Sequence, residues 1–148
     1  MPLSFPDAPS VSDTYKIIIQ GGAGSEYINI GLKMGSTTTG YYGGLIYQIL
    51  STGAVAGVSQ LNQASWIYLG QAGPQGISMD ALIMSPYLSQ PTSAISIQPR
   101  LTTTSAAATN SSFTGFLNDT TSYSSFTIAT DNGTLTGGTI DVYGYRKS

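Results

Sequence analysis

Any chemistry done by this chain would have to come from carboxylates. There are seven: Asp7, Asp13, Glu26, Asp80, Asp119, Asp131 and Asp141. Histidine and cysteine are both absent. That removes Ser-His-Asp and Cys-His nucleophiles and every zinc site built on imidazole or thiolate. Glycoside hydrolysis needs only a pair of carboxyl groups, so it survives on residue type alone. Glu26 begins one expected strand, and Asp80 and Asp141 fall within two others. Acidic residues so placed ordinarily form a solvated strand face, and that is the reading adopted. The stretch "DNGT" at 131–134 has some calcium-loop chemistry, but the D-x-[DN]-x-[DN]-G spacing is missing, so it reads as a turn. "GGAG" at 21–24 lacks the lysine and the following helix of a phosphate cradle and also reads as a turn. The residue types therefore point to no catalytic residue, no cofactor and no metal, and the chain is expected not to be an enzyme.

Binding chemistry is equally sparse. Trp66 and the ten tyrosines could stack on apolar sugar faces. Packing in a core or an interface, where both residue types are enriched, carries more weight. Three N-x-[ST] sequons occur at Asn110, Asn118 and Asn132, in a chain about a quarter serine and threonine, where chance supplies such triplets. The five basic residues, Lys16, Lys33, Arg100, Arg146 and Lys147, are scattered, and the net charge is −2. That is too few for a groove that tracks phosphates, so no nucleic-acid partner is expected. No apolar window is long enough for a membrane-spanning helix, and the first residues lack the pattern of a secretion signal.

What the composition does favour is contact. Apolar residues make up 41% of the 148 and charged residues only 8%, against a usual charged share of about a quarter. The surface must be covered by hydroxyls, amides and backbone. Such a surface is poorly protected by charge repulsion and suits a protein packed against copies of itself or a partner.

The elements that would carry this surface read as strands. Pro2, Pro6 and Pro9 deny residues 1–13 a ladder of their own, so these residues are expected to form an extended docking arm. In it Leu3 and Phe5 alternate as candidate docking side chains. Residues 14–148 are expected to form one β-sandwich domain of about eight strands. The β-branched and aromatic runs at 14–19, 26–32, 45–50, 66–70, 77–84, 94–102, 112–117, 123–130 and 139–146 carry the strand signal. Pro99 marks its strand as an edge or a bulge. The stretch 35–44 reads as a polar loop ending in glycines, and 51–65 as a short helix or a loop because of its two glycines. Residues 131–138, with Asn-Gly inside, read as a hairpin connection. In the last strand Ile140 and Val142 face one side, and Tyr143 and Tyr145 the other. A strand apolar on both sides belongs inside a sheet or at a subunit contact, which makes Tyr143 and Tyr145 candidate interface residues.

The last 26 residues, "YSSFTIATDNGTLTGGTIDVYGYRKS", resemble the closing strands of small β-sandwich proteins and domains from tailed-bacteriophage virions. There an Ile-bearing strand leads through a Gly/Asn loop to a C-terminal "GTI-x-V-YG" strand. Phe126–Ile128 stand for the first strand, and "GGTIDVYGYRK" matches the second, with Tyr143–Gly144 at the Tyr-Gly pair. The chain departs from that group in ending Tyr145-Arg-Lys-Ser and in its proline-rich start. The resemblance implies a jelly-roll-like sandwich, often a homotrimer, without catalysis. It implies a virion structural protein, made in the host cytoplasm and carried on the capsid surface. Its foremost role there would be as a decoration (cement) protein bound to the major capsid protein or another virion protein. A tail or head fibre module that recognises a host glycan is the alternative.

Overall fold

The structure is a computed structural model and describes residues 2–6, 12–100 and 108–146. The described residues form thirteen β-strands and no helix. They are β1 (Leu3–Ser4), β2 (Ser12–Gln20), β3 (Ala23–Gly24), β4 (Ile28–Met34), β5 (Tyr41–Ile49), β6 (Val55–Gln63) and β7 (Trp66–Gly73). After them come β8 (Gly76–Met84), β9 (Thr92–Arg100), β10 (Thr109–Leu117), β11 (Ser125–Thr130), β12 (Leu135–Thr136) and β13 (Thr139–Arg146). All pairings are antiparallel. The expected all-β sandwich is what the chain forms.

The two layers are joined at β8. One edge of β8 pairs with β2 from Ser78 to Met84. The other edge forks, so that Gly76–Met79 pair with β7 and Ala81–Met84 pair with β9. One layer therefore runs β13–β2–β8–β9–β10–β5–β6, and the second runs β7–β4–β11–β1. Strand β7 lies against β9, β10 and β5 across the core. The apolar alternation of each strand supplies the filling: Tyr15, Ile17 and Ile19 from β2, Ile28, Ile30, Leu32 and Met34 from β4, and Met79, Ala81 and Ile83 from β8 are all buried.

A pair of glycines, one in β5 and one in β10, shows why a stretch that looks like a loop is a strand. Gly43 pairs with Gly115 of β10, and the ring of Phe113 occupies the room that side chains at both would need. A Cβ on Gly43 would lie 2.5 Å from the Phe113 ring, and one on Gly115 would lie 2.9 Å from it. The expected loop at 35–44 is thus strand from Tyr41 onward. The stretch 51–65, expected as a helix or loop, holds β6 instead. Pro99 sits where the sequence placed it, on a local edge: β8 pairs with β9 only as far as Ser96, and among the described residues Pro99 has β10 alone beside it. The connection 131–138 is not a hairpin. β11 pairs with β4 in one layer and β13 pairs with β2 in the other. Between them the chain crosses layers through β12, which pairs with β3.

The start of the chain also differs from expectation. Residues 3–4 form β1 on the edge of β11, and Phe5 is buried, at 3% exposure. Its ring lies 4.6 Å from Tyr15, 4.9 Å from Phe126 and 5.9 Å from Tyr87, centroid to centroid. Leu3 is partly buried against the same core. Leu3 and Phe5 are therefore intramolecular anchors. The boundary drawn at residue 13 fails for residues 2–6, while 7–11 lie outside the described residues.

Candidate interaction surface

Because directly paired residues in adjacent strands share a face, the registers lay out the open face of the large layer row by row. One row reads Tyr143, Lys16, Leu82, Ile95, Thr114, Gly44, Ser59. The next contains Asp141, Ile18, Asp80, then Ile97, Ser112, Ile46 and Gly57. A third runs Tyr145, Thr14, Met84, Ser93, Phe116, Tyr42. The charges on these rows, Lys16, Asp80 and Asp141, all lie at the β13–β2–β8 end. The β9–β10–β5–β6 end presents Ile97 at 74% exposure, with Ile46, Phe116 and Val55 also in solvent. Phe116 and Tyr42 stack, ring centroids 5.2 Å apart and nearly parallel at 11°. Two shallow grooves cross this end. One of about 490 Å³ is lined by Gly44, Ile95, Thr114 and Phe116, and one of about 440 Å³ by Ile46, Val55, Ile97 and Ser112.

The carboxylates have ordinary structural work. Lys16 Nζ lies 2.9 Å from Asp80 Oδ2. That hydrogen bond and the opposite charge hold the lysine above its usual range. Asp131 accepts from the Asn29 backbone N–H at 2.9 Å and from its side-chain amide at 2.6 Å, pinning the β11 turn to β4. Asp119 accepts from the hydroxyl and N–H of Thr121 and from the Tyr123 hydroxyl at 2.8 Å, which together hold its carboxyl below the usual range. The Tyr123 hydroxyl in turn accepts from Thr37 Oγ1 at 2.7 Å. Tyr41, whose hydroxyl accepts from the Met34 N–H at 2.7 Å, is pushed up to about 12 by burial. Tyr87 is pushed up to about 12 by the same cause. Asp80 and Asp141 share the open face on either side of Ile18, two strand spacings or about 10 Å apart along the sheet. Asp80 lines a small depression of about 170 Å³ with Leu82, Ile95 and Ile97, and Asp141 is not part of its wall. Glu26 is exposed, while the Asp7 and Asp13 side chains lie outside the described residues. Among the described residues no three acidic side chains converge where a metal ion could sit.

The aromatic residues divide cleanly. Trp66 is fully buried and packs edge-on against Tyr41 at 5.2 Å, so it is core and not a sugar platform. Tyr143 and Tyr145 are 55% and 53% exposed, on the open face as their spacing implied. Strand β13 that carries them is not interior, however. Among the described residues it pairs with β2 alone, so its far side is an open edge. Asn110 and Asn118 are exposed. Among the described residues β6 pairs with β5 alone, and reading the sequence missed this second open edge because the strand has no one-sided apolar alternation to announce it. No known protein family, curated protein or solved structure matches the chain.

Proposed function

We propose that the chain is a structural protein of a tailed-phage virion, a decoration (cement) protein of jelly-roll type. In this reading it has no catalytic step and works by laying a sheet face on the outer capsid shell. The observation that carries the reading is the open face of the β9–β10–β5–β6 end. Its rows present Ile97, Ile46, Phe116 and Val55 to solvent, and no charged residue occurs between Lys33 and Asp80 in the sequence that supplies β5 and β6. Exposed apolar side chains grouped on one uncharged face are a mark of contact sites. The resemblance of residues 123–148 to the closing strands of virion sandwiches supports the same reading. Leu3 and Phe5 take no part in that docking, since Phe5 is buried in the chain's own core and Leu3 packs against it.

The test is to raise antibody to the purified chain and label particles from a lysate in which the chain is made. Regular label over the heads supports decoration. Label confined to tails or a single vertex replaces it with the fibre module, and particles without label overturn the virion reading.

A further inference from the structure

We infer that β6 is a pairing edge for a second copy of this chain, the two β6 strands running antiparallel about a two-fold axis through Gly57. This inference concerns self-association alone and holds whether or not the chain belongs to a virion.

The backbone sets which groups are offered. The Ile49 N–H donates to the Ala54 carbonyl at 2.8 Å, and the register continues Tyr47 to Ala56, Leu45 to Val58 and Gly43 to Gln60. In an antiparallel ladder the hydrogen-bonded pairs alternate with the non-bonded ones. Ala56, Val58 and Gln60 therefore turn their N–H and C=O toward β5. Val55, Gly57 and Ser59 turn theirs away from it, and among the described residues no strand meets them there. Centring the two-fold on Gly57 puts Gly57 opposite Gly57 of the second copy and Val55 opposite Ser59. Every one of those outward groups then gains a partner.

The side chains agree with this occupant. An unpaired edge is normally blunted by lysine, proline, an inward charge or a bulge. The stretch Val55–Gln60 has neither charge nor proline. The single bulge in the β5–β6 ladder lies just beyond it, on β6 itself, where Leu61 and Asn62 together face Tyr42 of β5. Val55 is 68% exposed and Leu61 70%, and Val58 is also in solvent. A strand with no charge meets no repulsion from its own copy, and across the two-fold Ala56 would sit beside Val58, small against β-branched. A basic or acidic partner would find nothing on this edge to recognise.

The test uses the full chain. Sedimentation over a range of concentration should show a monomer–dimer equilibrium. Val55→Lys with Ser59→Lys places like charges directly opposite one another across the axis, on side chains that touch no core, and should leave a monomer with an unchanged melting temperature. Val55→Glu with Ser59→Glu should do the same. Mixing the two variants should restore a dimer containing one chain of each. A monomer at every concentration, a trimer, or a dimer that both variants leave intact would overturn the inference. So would a failure of the mixture to re-form while each variant remains folded.

Discussion

The two edges of the large layer, β13 and β6, end the same sheet in opposite ways. β13 is backed by the core: Val142 packs against it, and its partner β2 supplies the buried Tyr15, Ile17 and Ile19. Charge surrounds it, with Asp141 on the strand and the Lys16–Asp80 pair on the next two. β6 is an extension of the sheet beyond the core, buried only at Gln60. There the Gln60 amide donates to the Ser65 carbonyl and its Oε1 accepts from the Ile67 N–H at 3.2 Å, which ties the far end of β6 to β7. A protected edge can face water indefinitely. An uncharged one offers its unpaired N–H and C=O groups to another strand. What the pair teaches is that two edges of one sheet can differ in protection, since exposed aromatic residues mark β13 while β6 is marked by the absence of charge.

The largest expected effect lies on the anchored flank. Phe5→Ala empties a site between Tyr15, Tyr87 and Phe126 and should cost about 3–5 kcal/mol, read as a fall in melting temperature of roughly 10 °C. A chain beginning at Thr14 should lose at least as much. If either kept its melting point, residues 2–6 would be a free arm after all. Next, Gly43→Ala strikes the root of the β5–β6 extension. Its Cβ would meet the Phe113 ring at 2.5 Å and the Thr114 carbonyl at 2.9 Å, and the clash should cost about 1–3 kcal/mol by thermal melting.

These two sites also show what the sequence disclosed. The alternation of Ile17, Ile19, Ile28, Ile30 and Leu32 made their strands and their buried faces legible, because one-sided burial writes itself as a period of two. Phe5 was legible as apolar but not as intramolecular, since its partners stand at positions 15, 87 and 126. Gly43 and Gly44 read as loop because the ring that needs the first of them is about seventy residues away. β6 was illegible for a different reason. A strand wet on both faces need not alternate, so its small residues and two glycines looked like a turn. The facing of Tyr143 and Tyr145 was readable, but whether their strand has one neighbour or two is a property of the sheet and not of the strand.

A smaller effect is expected at alkaline pH. Tyr41, at the root of the extension, and Tyr87, on the anchored flank, both titrate near 12 in the folded chain and near 10 when unfolded. Between those values the unfolded chain releases protons that the folded chain keeps. Stability should therefore be flat below about pH 10 and fall as pH rises toward 12, measured by chemical denaturation at stepped pH. Tyr41→Phe should flatten part of that fall. An unchanged stability through pH 11 would contradict the burial of both phenols.

The smallest effect is the one most pointed at the comparison. Tyr143→Thr with Tyr145→Thr should change stability by less than about 1 kcal/mol, as surface substitutions do, and should leave self-association as it was. Loss of the oligomer in that variant would make β13 the contact edge and reverse the roles given to the two strands.

The most direct test of that assignment is amide hydrogen exchange on the intact chain, read residue by residue at low and high protein concentration. At low concentration the outward amides of both edges should exchange freely. At high concentration those of Val55, Gly57 and Ser59 should slow by about tenfold or more, while the outward amides of β13 keep their rates. Protection that grows with concentration along Thr139–Arg146 and leaves β6 unchanged would contradict the account.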